Sequence, residues 1–194
     1  MNFRNELKAE RILENISYNR LSNYWYPFLA EPKEDELFKP GVEFGTIFKI
    51  YQFDSELRSL VFNAIEQIEV ALRTQLIYHL SHQYNGGYGF MEFEAYTSLE
   101  TYLRSMVKVQ EAVKASKQPF IVKFKSNYTN QLPPAWKCFE LLTFRSLYSL
   151  YKNLKDTSNK RAIGDHFGLN HTVFVSWIDT LVYVRNICAH HSRL

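Results

Sequence analysis

Between residues 46 and 83 the chain has neither glycine nor proline, and apolar side chains recur at helical intervals. Leu57, Val61, Ala64, Ile68, Leu72, Leu76 and Leu80 follow one another three or four residues apart, the spacing of one helix face. Phe62, Val70, Ala71 and Ile77 fall off that stripe. A helix that is apolar on more than one side is enclosed by other helices, so this one is expected at the centre of a bundle. Phe53-Asp54 is read as a break, with Asp54 capping the longer piece, 54–83. Asn85-Gly86-Gly87 is read as its end.

The flanking pattern predicts a first helix over residues 3–18. Tyr24, Trp25, Tyr26 and Phe28 then fold back on the core, and residues 28–45 form an irregular connection. Further helices are predicted at 99–115, at 119–128 and at 135–154, the last opened by Pro133-Pro134 because proline suits a first turn. A short helix over 159–167 is stopped by Gly168, and Asn170 caps the final one, 171–191. The reading is all-α, with six or seven helices and no sheet.

Composition narrows this picture. With 7 Gly and 6 Pro the chain is too poor in turn-formers for a sandwich, barrel or propeller. Two cysteines exclude a disulfide scaffold and fit a reducing compartment. No basic segment followed by an apolar block opens the chain, and no apolar run approaches a membrane span, so a cytoplasmic protein with no membrane contact is expected. The net charge of +3 permits a nucleic-acid partner without demanding one. Aromatic content is 16%, enough for a large core or a stacking surface.

The last helix carries the sharpest chemical signal. At about 100° per residue, Val173, Trp177, Leu181, Val184 and Cys188 form one apolar stripe, predicted to pack on the central helix. Asp179, Tyr183, Asn186 and His190 gather on the other side, where they must meet solvent, a partner or a cleft. Arg185 sits on the flank, and His191 projects near the apolar stripe. An imidazole can give or take a proton near neutral pH. A guanidinium can grip a phosphate with two parallel hydrogen bonds and stabilise growing charge. Asn186 can donate to a phosphate oxygen or orient the histidine. Arg185 and His190 stand about 140° apart around the axis, so a second chain could supply the missing approach. Arg and His in a last helical turn are also favoured by the macrodipole alone, so spacing leaves a structural role open.

Other groups support two readings each. Glu66, Glu69 and Arg73 share a face of the long helix. They form either a plain ion-pair cluster or a cleft wall opposite Arg185, and Arg58 could join by either reading. Lys108, Lys114, Lys117, Lys123 and Lys125, interleaved with Phe120, Phe124 and Tyr128, form either a solvated face or a track for RNA phosphates. His79 and His82 have a spacing that can hold a metal, but no third ligand stands near. Gly86-Gly87-Tyr88-Gly89 lacks the ending of a phosphate loop. No metal and no cofactor are therefore expected.

Five blocks of the sequence resemble those of the Abi-like family, the AbiD/AbiF-type abortive-infection proteins of the HEPN superfamily. Tyr18 to Phe28 (YNRLSNYWYPF) is similar to the family's YRLSGYWYPF-like stretch. Tyr51-Gln52-Phe53-Asp54 with Leu57-Arg58 is similar to its YxFDxxLR segment, and Ile65 to Thr74 (IEQIEVALRT) to its ERIEIALRT segment. Leu132-Pro133-Pro134-Ala135-Trp136 with Phe139-Glu140 is similar to its LPPxW–E element. The ending Arg185 to Leu194 (RNICAHHSRL) resembles its closing motif. The resemblance implies a single HEPN-type helical domain over 1–194, without the further helices into which the family pattern continues. It also implies cleavage of RNA without a metal by an R-x4-6-H motif, here Arg185 and His190, with Asn186 at the polar position that follows the arginine.

The expectation is therefore a metal-independent endoribonuclease acting as a toxin or abortive-infection effector in phage defence. A two-fold homodimer would place two motifs side by side, and an RNA or protein antitoxin is a possible further partner. The alternative is a HEPN module that binds RNA or a partner without turnover.

Overall fold

The structure, a computed structural model, describes all 194 residues. It contains nine α-helices and short 3₁₀ turns, and its three β-bridges are isolated, so there is no sheet. The helices are α1 (Glu6–Asn15), α2 (Tyr18–Trp25), α3 (Phe44–Gln83), α4 (Leu99–Ala115), α5 (Pro119–Asn127), α6 (Ala135–Cys138), α7 (Phe144–Asn153), α8 (Ser158–His166) and α9 (His171–Ala189).

The excess over the expected six or seven comes from one helix that divides and from α2, which forms where a folded-back aromatic cluster was expected. Helix α1 stops at Ile16, which is extended, and α2 starts after Ser17. The helix expected over 135–154 breaks at Leu142, also extended, and Thr143 restarts it by accepting a hydrogen bond from the Ser146 amide at 3.3 Å. A threonine hydroxyl offers the backbone an alternative to continuing a helix. No apolar pattern records that choice.

Helix α3 is continuous over 40 residues, so the expected break at Asp54 is absent. Asp54 caps nothing. It lies inside the helix and is buried, as are Arg58 one turn on and Ile65. Downstream, Leu72, Leu76 and Leu80 are buried as the stripe predicted, whereas Leu57 and Ala64 face outward. The reason is geometric. At 3.6 residues per turn Asp54 stands five turns before Leu72, on the same side, while Leu57 and Ala64 are turned about 60–80° away. A run of steps of four drifts around the helix and cannot mark one face for its whole length.

Two compact units divide the chain. One comprises residues 1–63 and 185–194, the other residues 64–184. In the first, Ala9, Leu21, Tyr24, Trp25, Leu29, Phe44 and Ile47 form the core. In the second, α4 packs on α7 and a large aromatic core surrounds Phe90, Tyr96, Phe139, Phe144 and Tyr151. Asn153, at the end of α7, both donates to and accepts from the Ser98 backbone, tying α7 to the start of α4.

Helix α9 overturns one expectation. Its buried residues are Phe174, Ile178 and Val182, and of the predicted stripe Cys188 alone. Trp177 is 57% exposed and Val173 45%, while Leu181 and Val184 are half-buried. The buried side is turned by about one residue from the predicted one. This helix carries apolar side chains on two sides, so periodicity alone did not say which is enclosed.

Candidate functional site

The last two turns of α9 carry Arg185, Asn186 and, just beyond, His190. The helix ends by turning back on itself. The Ser192 amide donates to the Ile187 carbonyl at 3.0 Å and the His191 amide to the Cys188 carbonyl at 3.1 Å. This is the double closure of a Schellman motif, with His191 in the left-handed position. His191 has φ +55°, a conformation that costs a non-glycine residue about 1–2 kcal/mol. Contacts from the following residues hold it there.

Those contacts converge on a buried knot. Asp54 and Arg58 form an ion pair, and the Tyr24 hydroxyl completes it, donating to Asp54 Oδ2 at 2.5 Å and accepting from Arg58 Nη1 at 2.9 Å. The Leu194 amide donates to Asp54 Oδ1 at 3.1 Å, and Arg58 reaches the Ser192 carbonyl at 3.4 Å. Arg20 donates to the His191 carbonyl at 3.1 Å. Arg193 donates to the Asn23 carbonyl at 2.6 Å and lies over the Tyr24 ring. Burial, followed by the hydrogen bond to Asp54, raises the Tyr24 pKa and keeps the phenol protonated.

Beside the knot lies an open cleft of about 430 Å³. Ser55, Ser59 and Asn63, one turn apart on α3, line it together with Arg58 and Phe62, and Cys188, Ala189 and His191 close the other side. The Arg185 guanidinium lies 5.6 Å from the centre of the Phe62 ring, a cation–π distance. Arg185 is half-buried, whereas Asn186, His190 and His191 are exposed. Burial raises the Cys188 pKa, which suits a packed thiol better than a nucleophile.

The remaining candidate residues fall elsewhere. Asp179 and Tyr183 are exposed like Asn186 and His190, so the polar row of α9 does face outward, and Asp179 pairs with Arg145 at 2.9 Å. Glu66 is exposed. Glu69 and Arg73 pair at 3.1 Å, with Glu140 at 3.7 Å and the Leu142 carbonyl at 3.5 Å from the same guanidinium. That carbonyl is available because the chain breaks between α6 and α7. Lys123 is exposed, but Lys125 is tied into the fold, its ammonium donating to the Val113 carbonyl at 2.8 Å, near the C-terminus of α4. His82 Nδ1 hydrogen-bonds the Tyr78 carbonyl at 2.8 Å, and burial lowers the His79 pKa.

The sequence reading missed Tyr24, Asp54 and Arg58 as a functional group of residues. The four-residue spacing of Asp54 and Arg58 was the available signal. It also missed the ladder Ser55, Ser59 and Asn63, whose helical spacing was equally visible.

A family model described as Abi-like protein matches residues 11–194. The chain belongs to the Abi-like family. No curated protein and no solved structure matches it. In this Abi-like protein, three of the five blocks that carry the resemblance meet in one unit: Tyr24 comes from the first, Asp54 and Arg58 from the second, and residues 185–194 are the last. The other two supply Arg73 with Glu69, and Glu140. No helix is long and apolar enough to cross a membrane.

Proposed function

We propose that this Abi-like protein is a HEPN-type endoribonuclease, working in abortive infection as its family membership suggests. The observation that carries the reading is the end of α9, where the helix closure and the knot beneath it hold the backbone that carries an exposed imidazole, His190, about one and a half turns beyond the guanidinium of Arg185. Both groups have surroundings compatible with these roles: His190 is open to a substrate, and Arg185 is half-buried against an aromatic ring.

In the proposed reaction a ribose 2′-oxygen attacks the adjacent phosphorus as His190 takes its proton. The new bond is O2′–P and the broken bond is P–O5′. A protonated imidazole returns a proton to the departing O5′, leaving a 2′,3′-cyclic phosphate and a 5′-hydroxyl. Arg185 holds the phosphate and balances the charge that grows on it, and Asn186 donates to a phosphate oxygen or orients the histidine. A second imidazole would let base and acid act on opposite sides of the phosphorus in one step. A two-fold homodimer would bring a second His190, and the exposed Val173 and Trp177 give a second copy an apolar surface to cover.

His190→Ala should lower RNA cleavage by about 10²–10⁴-fold, the range for losing one proton-transfer group. Arg185→Lys should also fail, because an ammonium cannot reproduce the planar two-pronged grip. The assay is run with chelator present. Full activity in His190→Ala, or activity that vanishes with chelator and returns with a divalent ion, would overturn the proposal.

A further inference from the structure

We infer that the cleft between α3 and the end of α9 is a nucleotide subsite, holding the ribonucleotide attached to the phosphate that Arg185 grips. This deepens the reading above and rests on it. Three features of the first unit point to a nucleotide. The cleft measures about 430 Å³, inside the range of pockets that hold small ligands. Its wall combines an aromatic ring, Phe62, with a ladder of small polar groups, Ser55, Ser59 and Asn63, a turn apart. Its floor is already built, since Arg58 lines it, is only 4% exposed and is held in place by Asp54 and Tyr24.

The decisive relation is between Phe62 and Arg185. The guanidinium stands 5.6 Å from the ring centre. A phosphate bound to Arg185 therefore has its own nucleoside within reach of the Phe62 edge of the cleft. The aromatic ring supports any base, because every base has a π-face. The ladder supplies the selection. The Ser59 hydroxyl donates to the Ser55 carbonyl at 3.0 Å, which leaves its lone pairs able to accept. The exposed Asn63 amide both donates and accepts, so it can read a base edge with two hydrogen bonds. The geometry assigns affinity to Phe62 and base choice to Asn63. It also gives the knot a purpose, since Arg58 and the anchored His191 shape this cleft from below and from the side.

The test uses the full chain and the four ribonucleoside monophosphates, each as the 3′ and the 5′ isomer, followed by NMR. At least one should bind and shift the Phe62 ring and the Asn63 side-chain amide. The better isomer tells which side of the scissile bond occupies the cleft. Asn63→Ala, an exposed position that folding should tolerate, should reduce discrimination among the four bases about tenfold or more. Phe62→Leu should weaken all of them. Cleavage of an RNA of mixed sequence is measured on the same preparations. Cleavage with a base preference unchanged in Asn63→Ala overturns the subsite and leaves the ribonuclease. Binding at Phe62 and Asn63 without cleavage by the wild type keeps the subsite and overturns the ribonuclease. Shifts confined to other parts of the chain overturn the subsite.

Discussion

Helix α3 contains the same local pattern twice, an acidic residue followed four positions later by arginine, with different outcomes. Asp54–Arg58 is closed: Arg58 is 4% exposed, a tyrosine hydroxyl sits between the charges, and backbone groups of residues 192 and 194 complete the set. Glu69–Arg73 is only half closed: its two side chains are largely buried, but its second carboxylate, Glu140, lies at 3.7 Å and is half in solvent. Spacing on a helix fixes only that two side chains can meet. What they are worth depends on whether other elements seal them from water. A sealed pair has lost its hydration and cannot tolerate the loss of a partner, whereas a half-closed one with a second carboxylate beside it keeps part of its compensation when broken.

The largest effect should follow from breaking the closed pair. Asp54→Ala leaves a buried arginine uncompensated and also frees the Leu194 amide, so a loss of about 3–5 kcal/mol in chemical denaturation is expected. A double replacement, Asp54→Leu with Arg58→Met, should recover most of that stability, because no buried charge remains. The tail would then lose its anchors to Asp54 and Arg58 and keep only those of Arg20 and Arg193, so the recovered protein should show raised hydrogen exchange at residues 192–194. A double variant as unstable as the single one would show that the knot holds the fold together for some other reason.

The contrast between the two pairs also explains what could be read from the sequence. The all-α class, the position of α4, the glycine stop after α8 and the Asn170 cap of α9 were legible, because each depends on local periodicity or on a residue with a specific backbone preference. The enclosed side of α9 was not. Ile178 and Trp177 are neighbours in sequence, both apolar, and only the surrounding elements decide that Ile178 is buried and Trp177 exposed. At the site, Arg185, Asn186 and His190 stood out by residue type, and the family blocks added their order. The knot beneath them joins residues far apart in the chain, so no single window contained it. Ile178→Ala should cost about 2–5 kcal/mol. Trp177→Ala should leave the stability of the monomer within about 1 kcal/mol and weaken self-association instead, read by light scattering over a range of concentrations. Equal losses for the two would break the assignment of the buried side.

Breaking the half-closed pair should matter less. Glu69→Ala leaves the largely buried Arg73 with Glu140 and the Leu142 carbonyl, so a loss of about 1–3 kcal/mol is expected, below that of Asp54→Ala. Equal losses for Asp54→Ala and Glu69→Ala would erase the distinction between the pairs.

The smallest effect concerns the proton that Tyr24 carries. Burial, then the hydrogen bond to Asp54, raises its pKa above the ordinary tyrosine value of 10.0. A raised native pKa means that the folded state holds the proton more tightly than the unfolded state. The stabilisation is fully present below about pH 10 and is lost as the pH rises through the native value. Tyr96 and Tyr151, buried in the second unit, shift in the same direction, so the whole protein should weaken on the alkaline side. Tyr24→Phe should cost about 1 kcal/mol at neutral pH, the net worth of the hydroxyl between the two charges. It should also make the alkaline decline shallower by the share of one tyrosine. Denaturant midpoints measured at about pH 8 and about pH 10.5 on the wild type and the variant give both quantities. A decline equally steep in the variant would show that the closed pair keeps its charges without help from the phenol.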